Sequence, residues 1–337
     1  MGLSRSAQII DKAGGDVKAR LDRQGEIDYT VTSGKHMTEM VEDIRRLKKR
    51  LDAVILAHNY QVEEVQAIAD HIGDSLELSR IAASAPQRMI VFCGVKFMAE
   101  TAKILSPAKT VLLPRLDAGC PMADMITVAE LRSLRERHPD AAVVAYVNSS
   151  AEIKAESDVC CTSANAVAVV RQVPARRVIF VPDQNLGAYV QRRVPEKELI
   201  LYEGFCFVHS RIRVNDIEAT KREHPQAVVV VHPEVPPAVQ EIADEILSTS
   251  GMLRFARSSD KLEFIVATEQ GLLERLKQEN PGKAFYPAGM ARICVNMKRT
   301  ELADVHRALK EKKYEVRVPE AIREKAVRAL NGMLKYQ

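Results

Sequence analysis

AVILAHNY at 53–60, AVVAYVNS at 142–149 and AVVVVHPE at 227–234 are three versions of one segment. Each opens on an apolar run and ends on polar residues. A matched turn follows in each: GDSLELSR (73–80), CCTSANAV (160–167) and LSTSGMLR (247–254). Then come a second apolar run, MIVFCG (89–94), VIFVPD (178–183) or FIVATE (264–269), a helix-like stretch, and a closing cysteine, Cys120, Cys206 or Cys294. The phase is tight. His58, Tyr146 and His232 stand 88 and 86 residues apart, as do Tyr60, Asn148 and Glu234, and also Ser75, Ser163 and Thr249. A triplication that keeps polar side chains in register predicts three similar domains aiming equivalent residues at one shared axis.

Runs such as AVVVV are apolar at successive positions, the pattern of a parallel strand with both sheet faces covered by helices. The stretches MVEDIRRLKKRL (40–51), LRSLRERH (131–138) and IEATKREH (217–224) have helical period and precede the first strand of each copy. Each copy reads as helix, strand, helix, short strand, strand, helix, strand. The expected fold is α/β: three pseudo-equivalent three-layer αβα domains with parallel sheets and right-handed crossovers, arranged around a pseudo-threefold axis. The domains are expected at 37–122, 123–208 and 209–294, after an N-terminal extension (1–36) that includes a loop-like TSGK stretch. A tail at 295–337 should pack on the first domain. In such sheets ligands bind beyond the carboxyl ends of the strands, where His58, Tyr60, Asn148, His232 and Glu234 fall.

At 337 residues with 46% hydrophobic content the chain can fill several cores. Its net charge of +4, from 49 basic and 45 acidic residues spread over helix-like faces, does not indicate a nucleic-acid partner but suits small anionic substrates. No run approaches a membrane span and no secretory stretch opens the chain, so a cytoplasmic enzyme is expected. The six cysteines are too dispersed to read as a disulfide framework, and reduced thiols are expected. Cys93 ends the strand-like MIVF and reads as a buried structural thiol. Cys160 and Cys161 are adjacent and cannot both face one metal without strain. Cys120, Cys206 and Cys294 each end a repeat, which core packing does not require, and they point to a shared metal or cluster.

The ordered motifs LAHNYQ (56–61), GDSLEL (73–78), FMAETAKIL (97–105), GCPMADM (119–125), YVNSSAEIKAESDVCCTSANA (146–166), PDQNLG (182–187), GFCFVHSR (204–211), HPE (232–234), STSGM (248–252), ATEQG (267–271) and CVNMK (294–298) closely resemble the quinolinate synthase family, from about residue 50 to 334. Val295, where many relatives carry proline, and Lys96, at a variable position, depart from the pattern without touching a ligand or an acid-base group. The resemblance implies one 4Fe-4S cluster per chain, held by Cys120, Cys206 and Cys294, with one iron free of protein ligands. It also implies condensation of iminoaspartate with dihydroxyacetone phosphate to quinolinate, phosphate and two waters in NAD biosynthesis, with an aspartate-oxidising enzyme supplying the first substrate.

On that reading Glu234 is the candidate base for a ketone-to-aldehyde proton shift, with Tyr60 and Tyr146 donating to oxygens of the intermediate. Substrate contacts are expected from His58, Tyr146, Asn148, His209, His232 and Glu234. Ser75, Ser163, Ser248 and Thr249 sit near strand-to-helix turns and are assigned to phosphate and carboxylates, helix N-capping being the plainer role. Two alternatives are a diphthamide-type radical enzyme, which shares the three-cysteine plan but not these motifs, and a non-enzymatic iron-sulfur sensor, which has no need of the matched polar set.

Overall fold

A computed structural model of the chain describes residues 34–336 and, before them, three short strands: β1 (Gln8–Ile10), β2 (Asp16–Leu21) and β3 (Ile27–Val31). These pair antiparallel in the order β1-β2-β3, a sheet that the polar composition of the extension did not announce. The first helix spans Gly34–Arg50 and so takes in part of the stretch read as loop.

Twelve further strands form three parallel sheets of four. The first holds β4 (Ala53–His58), β5 (His71–Gly73), β6 (Met89–Cys93) and β7 (Thr110–Leu112). The second holds β8 (Ala142–Tyr146), β9 (Val159–Cys161), β10 (Arg177–Val181) and β11 (Glu198–Leu201). The third holds β12 (Val228–Val231), β13 (Glu245–Ile246), β14 (Glu263–Ala267) and β15 (Ala284–Pro287). Strand order is the same in all three: β5-β4-β6-β7, β9-β8-β10-β11 and β13-β12-β14-β15. Register repeats as well, with Ala57 opposite Cys93, Ala145 opposite Val181 and Val231 opposite Ala267.

The alternation of strand side chains explains the uninterrupted apolar runs. In β4 and β6, Val54, Leu56, Ile90 and Phe92 enter one core, while Ala53, Ile55, Ala57, Met89, Val91 and Cys93 enter another on the opposite face. In β12 and β14, Val230, Phe264 and Val266 share the first core, and Val229, Val231, Ile265 and Ala267 fill a third. Helices therefore cover both faces, and both faces must be apolar.

Sequence reading left out one helix per copy. Ser75–Ser84, Ala166–Gln172 and Thr249–Ser258 each connect the short edge strand to the third strand, as a parallel crossover requires. They are only seven to ten residues long, and the polar residues at or just before their starts, Asp74 and Ser75, Asn165, and Ser248 and Thr249, read as turn chemistry.

Beyond Cys294, Leu302–Glu311 packs on Gly34–Arg50, burying Val305 and Leu309 against Ile44 and Leu47. Residues 314–316 run beside β7, where Tyr314 accepts from Leu113 and Val316 donates to Val111. The last helix, Glu320–Lys335, lies against Ala151–Ala155, β9 and Lys96–Leu105, touching both the first and second sheet units. No helix among the described residues is long and apolar enough to cross a membrane.

Candidate active site

The first strands of all three sheets end at one cavity of about 370 Å³. β4 delivers His58 and, just beyond, Tyr60; β8 delivers Tyr146 and Asn148; β12 is followed by His232 and Glu234. The turns after the edge strands add Ser75, Ser163 and Thr249, and the closing loops add Cys120, Cys206, Cys294 and His209. Twelve of these thirteen residues fall in the three matched polar triples and the cysteine trio, and they meet although up to 236 residues separate them in the chain.

Ser248 differs. It is absent from the cavity lining and is the N-cap of Thr249–Ser258, accepting from Gly251 N (3.2 Å) and donating to Asp74 Oδ2 (3.2 Å). Asp74, at the equivalent place in the first copy, caps Ser75–Ser84 in the same way. For Ser248, then, the capping role is the one the geometry displays.

Glu234 is the hub. Its Oε1 accepts from the Tyr146 hydroxyl (2.7 Å) and its Oε2 lies 2.7 Å from His209 Nδ1 and 3.7 Å from His232 Nδ1. Burial acts to raise the carboxyl; His209 and His232, with hydrogen bonds from His209 and Tyr146, outweigh it and hold the group well below the usual carboxylate range. Burial pushes His232 itself down to about 3, so it is neutral at neutral pH. His58 is likewise pushed down to about 3 by burial, against the pull of Glu234. Burial and the Glu234 charge push Tyr60 and Tyr146 well above the usual phenol range, so both keep their protons as donors.

A second chain of contacts was not foreseen. The Tyr60 hydroxyl lies 2.6 Å from Thr268 Oγ1, which is 2.9 Å from His209 Nε2. Thr268 follows β14 in the ATEQG motif, and only its place at a strand end could have flagged it. His232 Nε2 reaches Ser163 Oγ (3.2 Å), and Thr249 Oγ1 accepts from Asn59 Nδ2 (2.8 Å). Asn148 Oδ1 is buried with no partner among the described residues, an arrangement costing about 1–3 kcal/mol that a donor on a bound molecule would relieve.

All six cysteines are free thiols. Cys93 is fully buried in the core beneath the first sheet, where burial pushes its thiol far up. Cys160 and Cys161 are also fully buried, on β9, whose successive side chains leave by opposite faces. Cys120, Cys206 and Cys294 are instead partly exposed at the cavity. Each sulfur accepts from backbone N–H groups two or three residues on: Ala123 and Met122 for Cys120, His209 for Cys206, and Met297 and Asn296 for Cys294. Burial raises all three thiols, Cys120 to about 12. Cys206, His209 and Glu234 bring their ligand atoms within 4.8 Å of one another and could hold a metal ion.

The family model described as "Quinolinate synthetase A protein" matches residues 42–335. Quinolinate synthase of Thermodesulfovibrio yellowstonii is 57% identical over 294 residues, covering 87% of this chain and 97% of that protein. The Alkaliphilus metalliredigens enzyme is 52% identical over 300 residues (89% and 99%), and that of Methanoregula boonei 54% over 293 (87% and 97%). With matches of that length and identity, and with one cavity that gathers the cysteines and the matched polar set, the chain belongs to the quinolinate synthase family of enzymes.

Proposed function

We propose that the protein condenses iminoaspartate with dihydroxyacetone phosphate to give quinolinate, phosphate and two waters, in the cytoplasm, with iminoaspartate supplied by an aspartate-oxidising enzyme. The observation that carries this reading is the meeting of Cys120, Cys206 and Cys294 with Glu234, Tyr60 and Tyr146 in a single cavity. The three sheet units, taken as domains at 37–122, 123–208 and 209–294, then surround the site about a pseudo-threefold axis.

The donor set fits a 4Fe-4S cluster. Cys120, Cys206 and Cys294, one from each sheet unit, offer their sulfurs to one cavity, and thiolates are the ligands such a cluster takes. Their backbone N–H partners suit thiolates, and no further cysteine lines the cavity. Bound there, the cluster would supply Lewis acidity at the iron that lacks a protein ligand.

The chain's own groups do the rest. Glu234, ionised and fixed by Tyr146 and His209, takes a proton from one carbon of the condensed intermediate and returns it to the neighbouring carbon. Tyr60 and Tyr146 donate to oxygens, and neutral His58 and His232 donate or accept without adding charge. Ser75 and Thr249, in the first turns of their helices, and Ser163 offer hydroxyls to phosphate and carboxylates. Asn148 completes the set.

Anaerobic protein incubated with aspartate, an aspartate oxidase and dihydroxyacetone phosphate should form quinolinate. No product from protein that carries its full iron would overturn the assignment.

A further inference from the structure

The three cysteine loops are held by one backbone device, repeated. Lys96, Gln184 and Gln270, which follow the third strand of their sheets, donate to the carbonyls of Ala118, Gly204 and Arg292, each at 2.8 Å. Those carbonyls lie two residues before Cys120, Cys206 and Cys294.

The residue before each donor breaks the symmetry. In the second copy it is Asp183, whose Oδ2 accepts from Cys206 N (3.2 Å) while Oδ1 accepts from Leu186 N (2.7 Å). In the third it is Glu269, whose Oε1 accepts from Cys294 N (3.1 Å) while Oε2 accepts from Gly271 N (2.6 Å). Both acids are wholly buried. In the first copy the position is Val95, which has nothing to offer Cys120.

Two acids of different length thus make the same pair of bonds, one oxygen to a helix start and one to a cysteine amide. A carboxyl group has two acceptor oxygens and can serve both; an amide side chain has one and cannot. Fixing the cysteine N–H also keeps it from turning to a cluster sulfur, and hydrogen bonds to sulfur are among the factors that set cluster potential.

Resting on the three-cysteine reading, we propose that Asp183 and Glu269 are positioning residues for the cluster, paired acceptors that clamp the Cys206 and Cys294 amides and leave Cys120 as the corner held by main chain alone.

The test uses full-length protein, reconstituted anaerobically, in Asp183→Asn and Glu269→Gln forms. Each amide variant should lose iron to a chelator several-fold faster than wild type, and the midpoint potential from a redox titration followed by electron paramagnetic resonance should move upward. Both consequences of the change, a released N–H and any lost negative charge, act in that direction. A role confined to helix capping would lower the unfolding temperature of the apoprotein and leave potential and iron loss unchanged. Amide hydrogen exchange in the wild-type apoprotein needs no variant: Cys206 and Cys294 should exchange more slowly than Cys120, and equal rates would overturn the clamp. A wild type that takes up no iron would sink the cluster reading and this inference together. A loaded wild type matched by both amide variants overturns this inference alone.

Discussion

Glu234 stays charged in a cavity that would otherwise keep a carboxyl neutral, because the neighbouring His209 and His232, with hydrogen bonds from His209 and Tyr146, outweigh burial. Glu234→Gln keeps the shape and removes the proposed base. The expected result is a fall in kcat of about 100-fold or more with little change in iron content, measured as quinolinate formation beside an iron assay. Near-normal turnover would dismiss Glu234 as the base. Sequence phase picked out Glu234 through its match to Tyr60 and Asn148, but not Thr268, since a lone sequence shows a hydroxyl at a strand end and not the two groups it joins. Ser248 takes the plainer role, that of a helix cap. It neighbours Thr249 in the chain, but Thr249 lines the cavity and Ser248 does not. Ser248→Ala should cost about 1 kcal/mol in a denaturant melt, the usual loss of a cap.

At the scale of elements, strand ends and the loops that close each copy divide the cysteines by environment. Cys93, on β6, faces a core, whereas Cys206 follows β11 in a loop that faces the cavity. Cys206→Ser should therefore lose iron and turnover together, while Cys93→Ser should keep the cluster and cost stability by about 1–3 kcal/mol for a buried hydroxyl. Equal iron loss in both would upset the ligand assignment. The tail offers a pH test. His306 Nε2 lies 2.7 Å from Asp43 Oδ2, joining Leu302–Glu311 to Gly34–Arg50, and this bond holds Asp43 below its usual 3.8, with Arg46 adding to it. A depressed carboxylate stabilises the folded state above the unfolded pKa and loses that contribution as pH falls through the folded one. The stability gap between wild type and Asp43→Asn should thus be full at neutral pH and close on acidification below about 4. A gap independent of pH would mean the pair contributes nothing through charge.

Across the whole molecule, triplication made the architecture legible. Three copies in phase revealed the strand ends, and the carboxyl-end rule turned strand ends into a site. The short crossover helices escaped because they are seven to ten residues long and begin at polar residues, such as Asp74, Asn165 and Ser248, that read as turns. The N-terminal sheet escaped because its strands lie outside the repeat and lack its apolar runs. The clamps on Cys206 and Cys294 escaped for a physical reason: an acid after an apolar strand reads as solvated, and only the fold shows Asp183 and Glu269 buried against backbone N–H groups. The central proposal is that three thiolates from three repeats hold one cluster. Iron and acid-labile sulfide counted in anaerobically purified protein test it most directly. The account predicts about four of each per chain in the wild type, with loss of both when Cys120, Cys206 or Cys294 is replaced by serine. A single tightly held metal without sulfide, or full iron in any of the three serine variants, would contradict it.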